Sequence, residues 1–152
     1  MMVRVNIKNQ NSKRKISLAK LKLAAEKILK LLKKNNAELN IMLVTSQKIR
    51  VFKRVYFGKD TSTDVIAFPA RSARRDYTEI CERNFLGDII ISLDRAVKNT
   101  KIYRTTFFDE TLLYVIHGIL HLDGYRDKTN RDRSVMRRKE IELIQKIGKI
   151  SE

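Results

Sequence analysis

His117-Gly118-Ile119-Leu120-His121-Leu122-Asp123-Gly124-Tyr125-Arg126-Asp127 is the stretch on which the reading of this chain turns. It holds the only two histidines of the protein, four residues apart. The run before it, Phe107 through Leu120, is mostly apolar and free of proline, as a buried helix requires. On a helix, residues i and i+4 lie one turn apart on one face, their side-chain bases separated by about 6 Å. Two imidazoles so placed are able to share a metal ion through neutral ring nitrogens. Gly124 offers a helix stop and a left-handed backbone position. Asp127 then brings a carboxylate back as a third ligand, and three protein ligands with an open position are what a catalytic metal site needs. A histidine pair by itself is more often packing or surface than a site. The apolar setting strengthens the metal reading, because an unpaired imidazole there must find partners.

Two further blocks stand upstream. Gly58-Lys59-Asp60-Thr61-Ser62-Thr63-Asp64-Val65-Ile66-Ala67-Phe68-Pro69 is a polar loop running into a short β-prone segment, and Leu86-Gly87-Asp88-Ile89-Ile90-Ile91-Ser92 is a nearly continuous apolar strand interrupted by Asp88. That carboxylate needs a partner, and two readings stand open for it: a hydrogen bond into the site, or structural satisfaction elsewhere.

The three blocks, in this order, resemble the signatures of the YbeY family of metal-dependent endoribonucleases, H-G-x-L-H-L-x-G-Y-D-H, G-K-D-x-P-T-D-V-L-S-F-P and L-G-D-I-x-I-S. Together they span about residues 50 to 130. Two positions depart from the pattern. Asp127 stands where the family has a third histidine, preceded by Arg126 rather than aspartate, and Phe57 stands where an arginine precedes the G-K-D block. A carboxylate still binds zinc, at about 2.0–2.2 Å, but is a shorter and harder ligand. The loss at position 57 removes a cation suited to gripping phosphate, for which Arg54 and Lys59 are the nearby substitutes.

The resemblance implies one zinc or comparable ion on His117, His121 and Asp127. It implies cleavage of single-strand-type RNA in maturation of small-subunit ribosomal RNA and in ribosome quality control, with RNA and the ribosome or its small subunit as partners. Lys59, Arg54 and Asp88 complete the candidate site. The competing reading is an RNA- or ribosome-binding factor with a degenerate metal site. A metalloprotease is disfavoured, because those enzymes carry glutamate directly after the first histidine and here that residue is Gly118. Glycine there would instead permit close approach of backbone or substrate to the metal.

Composition agrees with a polyanion partner. At 152 residues the chain has the size of one domain, 1–152, and 33 Lys and Arg against 17 Asp and Glu give a net charge of +16. There is no apolar run long enough to span a membrane, the N-terminus lacks a signal peptide's apolar core, and the lone Cys81 fits a reducing compartment, so the cytoplasm is expected.

In chain order the pattern predicts strands at 3–8, 38–45, 65–68 and 86–92, with helices at 18–34, 46–56, 93–101, from Thr106 through the histidines, and at 129–148. Residues 70–84 read as a basic loop. The caps expected are Ser17, Ser46 and Thr106. The lysines of 20–34 and the basic residues of 131–139 read as faces for RNA backbone. The fold expected is α+β, a small mixed four-stranded sheet covered by helices, with the histidine pair on a central helix in a zincin-like arrangement.

Overall fold

The computed structural model describes residues 2–70 and 84–147. Residues 71–83, most of the expected basic loop with Cys81, lie outside the described part. The elements in order are β1 (Arg4–Asn9), α1 (Leu18–Leu31), β2 (Glu38–Val44), α2 (Ser46–Phe57), β3 (Val65–Pro69), β4 (Phe85–Ser92), α3 (Leu93–Tyr103), α4 (Phe107–Leu122) and α5 (Asn130–Ile147). The four strands form one mixed sheet in the order β1-β2-β4-β3, parallel except for the antiparallel β3–β4 pair. This is the α+β architecture that the sequence pattern predicts.

Strand alternation divides the sheet into two chemically different faces. Val5, Leu39, Ile41, Leu43, Ile89 and Ile91 point one way and form the main core with α1, α4 and α5. The opposite face holds a smaller cluster, Val44, Ile49, Ile66 and Ile90, with Met42, Phe52 and Phe68 packed against it beneath α2. Beyond α2 this second face is polar. Asn6 Nδ2 donates to Asn40 Oδ1 at 3.0 Å, and Asn40 Nδ2 donates to Asp88 Oδ1 at 3.1 Å, a row of side chains crossing β1, β2 and β4. Asp88 therefore finds its partner on the face away from α4.

Local signals explain most boundaries. Ser17 Oγ accepts from Lys20 N–H and Thr106 Oγ1 from Asp109 N–H, so both caps stand where the sequence places them. The cap of α2 is Thr45, not Ser46, and accepts from Lys48 N–H. Ser46 is drawn into tertiary contacts instead, its N–H on Asp94 Oδ2 and its hydroxyl on Ser92 Oγ. Helix α1 stops at Leu31, three residues earlier than its periodicity reads. Lys33 takes φ 61°, and Lys34 N–H bonds Leu29 C=O at 2.8 Å, turning the chain toward β2. At α5, Thr129 and Asp132 cap each other reciprocally, which fixes the start of that helix.

Two glycines allow α4 to sit close on the sheet. A Cβ on Gly118 would lie 2.8 Å from Ile89 side-chain atoms, and one on Gly87, which has φ 144°, would lie 2.2 Å from Phe68 C=O. The close approach that Gly118 permits is thus to β4, not to substrate or metal. Adding a methyl at either place forces helix or strand apart, an overpacking cost of roughly 1–3 kcal/mol. Gly118→Ala and Gly87→Ala are each expected to lower the urea midpoint accordingly, Gly87→Ala more because its backbone angle is also strained for alanine. Unchanged midpoints would mean that α4 does not pack on β4 in this way.

Candidate metal centre

Because Gly118 and Leu122 face the sheet, His117 and His121, one residue earlier on the same helix, are rotated off it toward α5 and the open side. The histidines meet at Nε2, 3.1 Å apart, with ring centroids 4.6 Å apart and planes at 79°. The chain leaves α4 through a turn in which Tyr125 N–H bonds Leu120 C=O and Gly124 N–H bonds His121 C=O. Gly124 has φ 103°, the left-handed position its sequence context calls for. This turn returns Asp127 to the histidines, its Oδ2 3.4 Å from His121 Nε2 and 4.0 Å from His117 Nε2. Four ligands on zinc–nitrogen bonds of 2.0–2.1 Å stand roughly 3.3 Å apart at tetrahedral angles. The three separations found are close to that spacing. Two nitrogens and a carboxylate also form a donor set suited to zinc or a similar divalent ion, with one side open to solvent.

Arg133 supports the turn. Its guanidinium donates to the carbonyls of Asp127 at 3.1 Å and Lys128 at 3.3 Å, and also to Asn130 Oδ1.

One residue of the centre escaped the sequence reading. Glu140 of α5 is buried, and its Oε2 lies 2.6 Å from His117 Nδ1. A carboxylate only accepts, so Nδ1 carries the proton and the Nε2 lone pair faces the site. The signal was present in the sequence. The buried stripe of α5 is Met136, Glu140, Leu143 and Ile147, and Glu140 is the acid within it. Val135, Ile141 and Ile144, which the apolar pattern also includes, are exposed.

The pKa values of the two rings are shifted in opposite directions. Burial pulls His117 down, but the hydrogen bond and charge of Glu140, with Asp64 and Asp127 behind it, outweigh burial and hold its pKa above the ordinary imidazole value. His121 is lowered, by burial first and by the adjacent His117 second, against opposing contributions from Asp127 and the Tyr125 backbone.

The remaining candidates lie elsewhere. Arg54 and Lys59 sit at the C-terminal end of α2 and in the loop after it, where Arg54 is 3.9 Å from Asp60 and Arg50 pairs with that carboxylate at 2.8 Å. Phe57 stacks on Phe68, ring centroids 5.8 Å apart, so that position supplies no cation. The cleft between α4 and α5 has a volume of about 270 Å³ and is lined by His117, Asp127, Glu140, Met136, Arg133 and Arg137. Neither Arg54, Lys59 nor Asp88 lines it.

A small α+β domain whose central helix presents a metal-competent His-His-Asp group beside an open cleft belongs to the class of zincin-like metal-centred hydrolases. The comparisons narrow this to one family. The profile of the family described as Endoribonuclease YbeY matches residues 6–148. An Endoribonuclease YbeY of Bacillus velezensis is 38% identical over 117 residues, 75% of this chain and 74% of its own length. One from a Thermoanaerobacter species is 30% identical over 156 aligned residues, covering 95% of this chain and 98% of the relative. A solution structure of a Thermotoga maritima protein superposes with a TM-score of 0.59 at 28% identity, over 95% of this chain and 91% of that one. The chain belongs to the YbeY family.

Two outcomes test the Glu140 contact. Glu140→Ala is expected to weaken divalent-metal affinity about 10- to 100-fold by titration calorimetry. Affinity must also fall with acidity, since the metal needs unprotonated rings. With His117 raised, that fall begins above pH 6.5 in the wild type, and it shifts to lower pH in Glu140→Gln, where the anionic partner is gone. An identical pH profile in both proteins would remove Glu140 from the centre.

Proposed function

We propose that this chain is a metal-dependent endoribonuclease that cuts single-strand-type RNA during maturation of small-subunit ribosomal RNA, working with the ribosome or its small subunit. One ion, zinc by the donor set, is held by His117, His121 and Asp127. The observation that carries the reading is the convergence of those three ligand atoms within 4.8 Å of one another, beside a cleft open to solvent. Bound there, such an ion supplies Lewis acidity, easing ionisation of water near neutral pH and polarising a phosphoryl oxygen.

The chain's own residues do the rest. Glu140 holds the His117 tautomer, and Arg133 holds the turn that delivers Asp127. The exposed lysines of α1, Lys20, Lys22, Lys27 and Lys30, and the basic residues of α5 offer contacts for RNA backbone, joined by Lys59 and Arg54 at the end of α2. A net charge of +16 supports a polyanionic partner. Among the described residues no helix is long and apolar enough to cross a membrane.

Peptide hydrolysis by the glutamate-based route has no support. Position 118 is a glycine packed on Ile89 without room for a methyl group.

The deciding measurement is elemental analysis of the purified chain beside His117→Ala and His121→Ala, with cleavage of a single-stranded RNA. About one zinc per wild-type chain is expected, absent from both variants, with cleavage lost in His121→Ala while RNA affinity stays within about twofold. Cleavage by His121→Ala at the wild-type rate would sink the metal mechanism. A wild-type chain without stoichiometric metal that still binds RNA would favour the binding-factor reading, and a large gain of activity in the Asp127→His, Phe57→Arg double variant would mark the present centre as degenerate.

A further inference from the structure

We propose that Arg137 of α5 is the phosphate subsite of the metal cleft, gripping a phosphodiester of single-stranded RNA beside His117, His121 and Asp127. The inference rests on the reading of that cleft as the place of RNA cleavage and adds the residue that holds the substrate's charge there.

Two cations line the cleft, Arg133 and Arg137, one helical turn apart on α5. Their situations differ. Arg133 donates to the carbonyls of Asp127 and Lys128 and to Asn130 Oδ1, so three of its five donors are spent in building the site. Arg137 is exposed and makes no hydrogen bond or ion pair with a described residue. The cleft's acids do not claim it. Glu140 is bonded to His117, and Asp127 faces both histidines. A guanidinium left free in a cleft that contains two carboxylates is available to a ligand, and its planar fork of donors matches two phosphate oxygens at once.

The same side chain, like Arg133, also lines the neighbouring groove, of about 450 Å³, with Asn130, Ser134, Arg138 and Ile141. Arg137 thus stands where the two depressions meet. A single strand leaving the metal cleft crosses α5 at this point and meets Arg138 next, adjacent in sequence. Phosphates contacted in this way give sequence-independent, salt-sensitive binding.

The experiment compares the full-length wild type with Arg137→Ala and Arg137→Lys, and with Arg4→Ala on the exposed face of β1 as a control for general charge loss. Binding of a short single-stranded RNA to the metal-free chain is followed by fluorescence anisotropy across a salt series. Cleavage of the same RNA by the zinc-loaded chain is followed under single-turnover conditions. Arg137→Ala is expected to lower RNA affinity several-fold and to flatten the slope of log affinity against log salt by about 0.7, one phosphate contact on a single strand. Cleavage should fall about tenfold or more, with zinc content unchanged. Arg137→Lys should restore the slope, since it keeps the charge, but not the full rate, since an ammonium cannot fork.

Affinity, slope and rate in Arg137→Ala equal to those of Arg4→Ala would overturn the assignment, as would a wild-type chain that binds no RNA. A wild-type chain that binds RNA but neither holds metal nor cleaves would defeat the reading of the cleft as a nuclease centre, and the salt slope would still decide for or against Arg137.

Discussion

The contact between Gly118 and Ile89 governs more of this molecule than any other. It sets the helix of the histidines against β4 at a distance that no side chain larger than hydrogen allows. With Gly118 and Leu122 against the sheet, helical geometry leaves His117 and His121 turned toward α5, where Glu140 and Asp127 meet them. The same contact fixes which residues of β4 face the helix. Ile89 and Ile91 do, so Asp88 and Ile90 point to the other side. One packing decision therefore turns the histidine pair toward α5 and sends the strand's carboxylate away from it.

Around the histidines the electrostatics run against the rest of the protein. The chain carries a large positive excess, yet Asp64, Asp127 and Glu140 all act on His117. Acids gathered there favour a cation, and the basic residues on the outer faces of α1 and α5 favour a polyanion approaching it. The two preferences are compatible because they occupy different places. Glu140 is bonded to His117 and Asp127 faces both histidines, whereas Arg137 and Arg138 stand exposed on α5. Asp127 in place of an imidazole adds one more negative charge to the centre. It makes the centre harder as a ligand set and places more reliance on Arg133 to hold a shorter side chain in position.

Most of the fold was legible because its signals are local. Hydrophobic patterning and local β-propensity located all nine elements among the described residues, and Ser17, Thr106 and Gly124 marked ends that depend only on nearby backbone. The misreadings share a cause. Ser46 looks like a cap as well as Thr45 does, and what separates them is the pull of Asp94 and Ser92 from α3 and the end of β4. Which stripe of α5 is buried likewise depends on where α4 lies, so Val135, Ile141 and Ile144 stay exposed although they are apolar.

The sequence by itself determined the metal-competent His-His-Asp group. His117, His121 and Asp127 lie within eleven residues on one helix and one tight turn, so chain geometry alone brings them together. Only the tertiary structure decided what surrounds that group. Glu140 reaches His117 from 23 residues away, Arg137 comes to the cleft from the same distant helix, and Phe57 is taken up by a stack on Phe68. Asp88 was ambiguous between site and sheet until strand register chose a face. A contact between elements distant in sequence is set by how helices and strands pack, and a linear pattern states the face a residue occupies on its own element but not what that face meets.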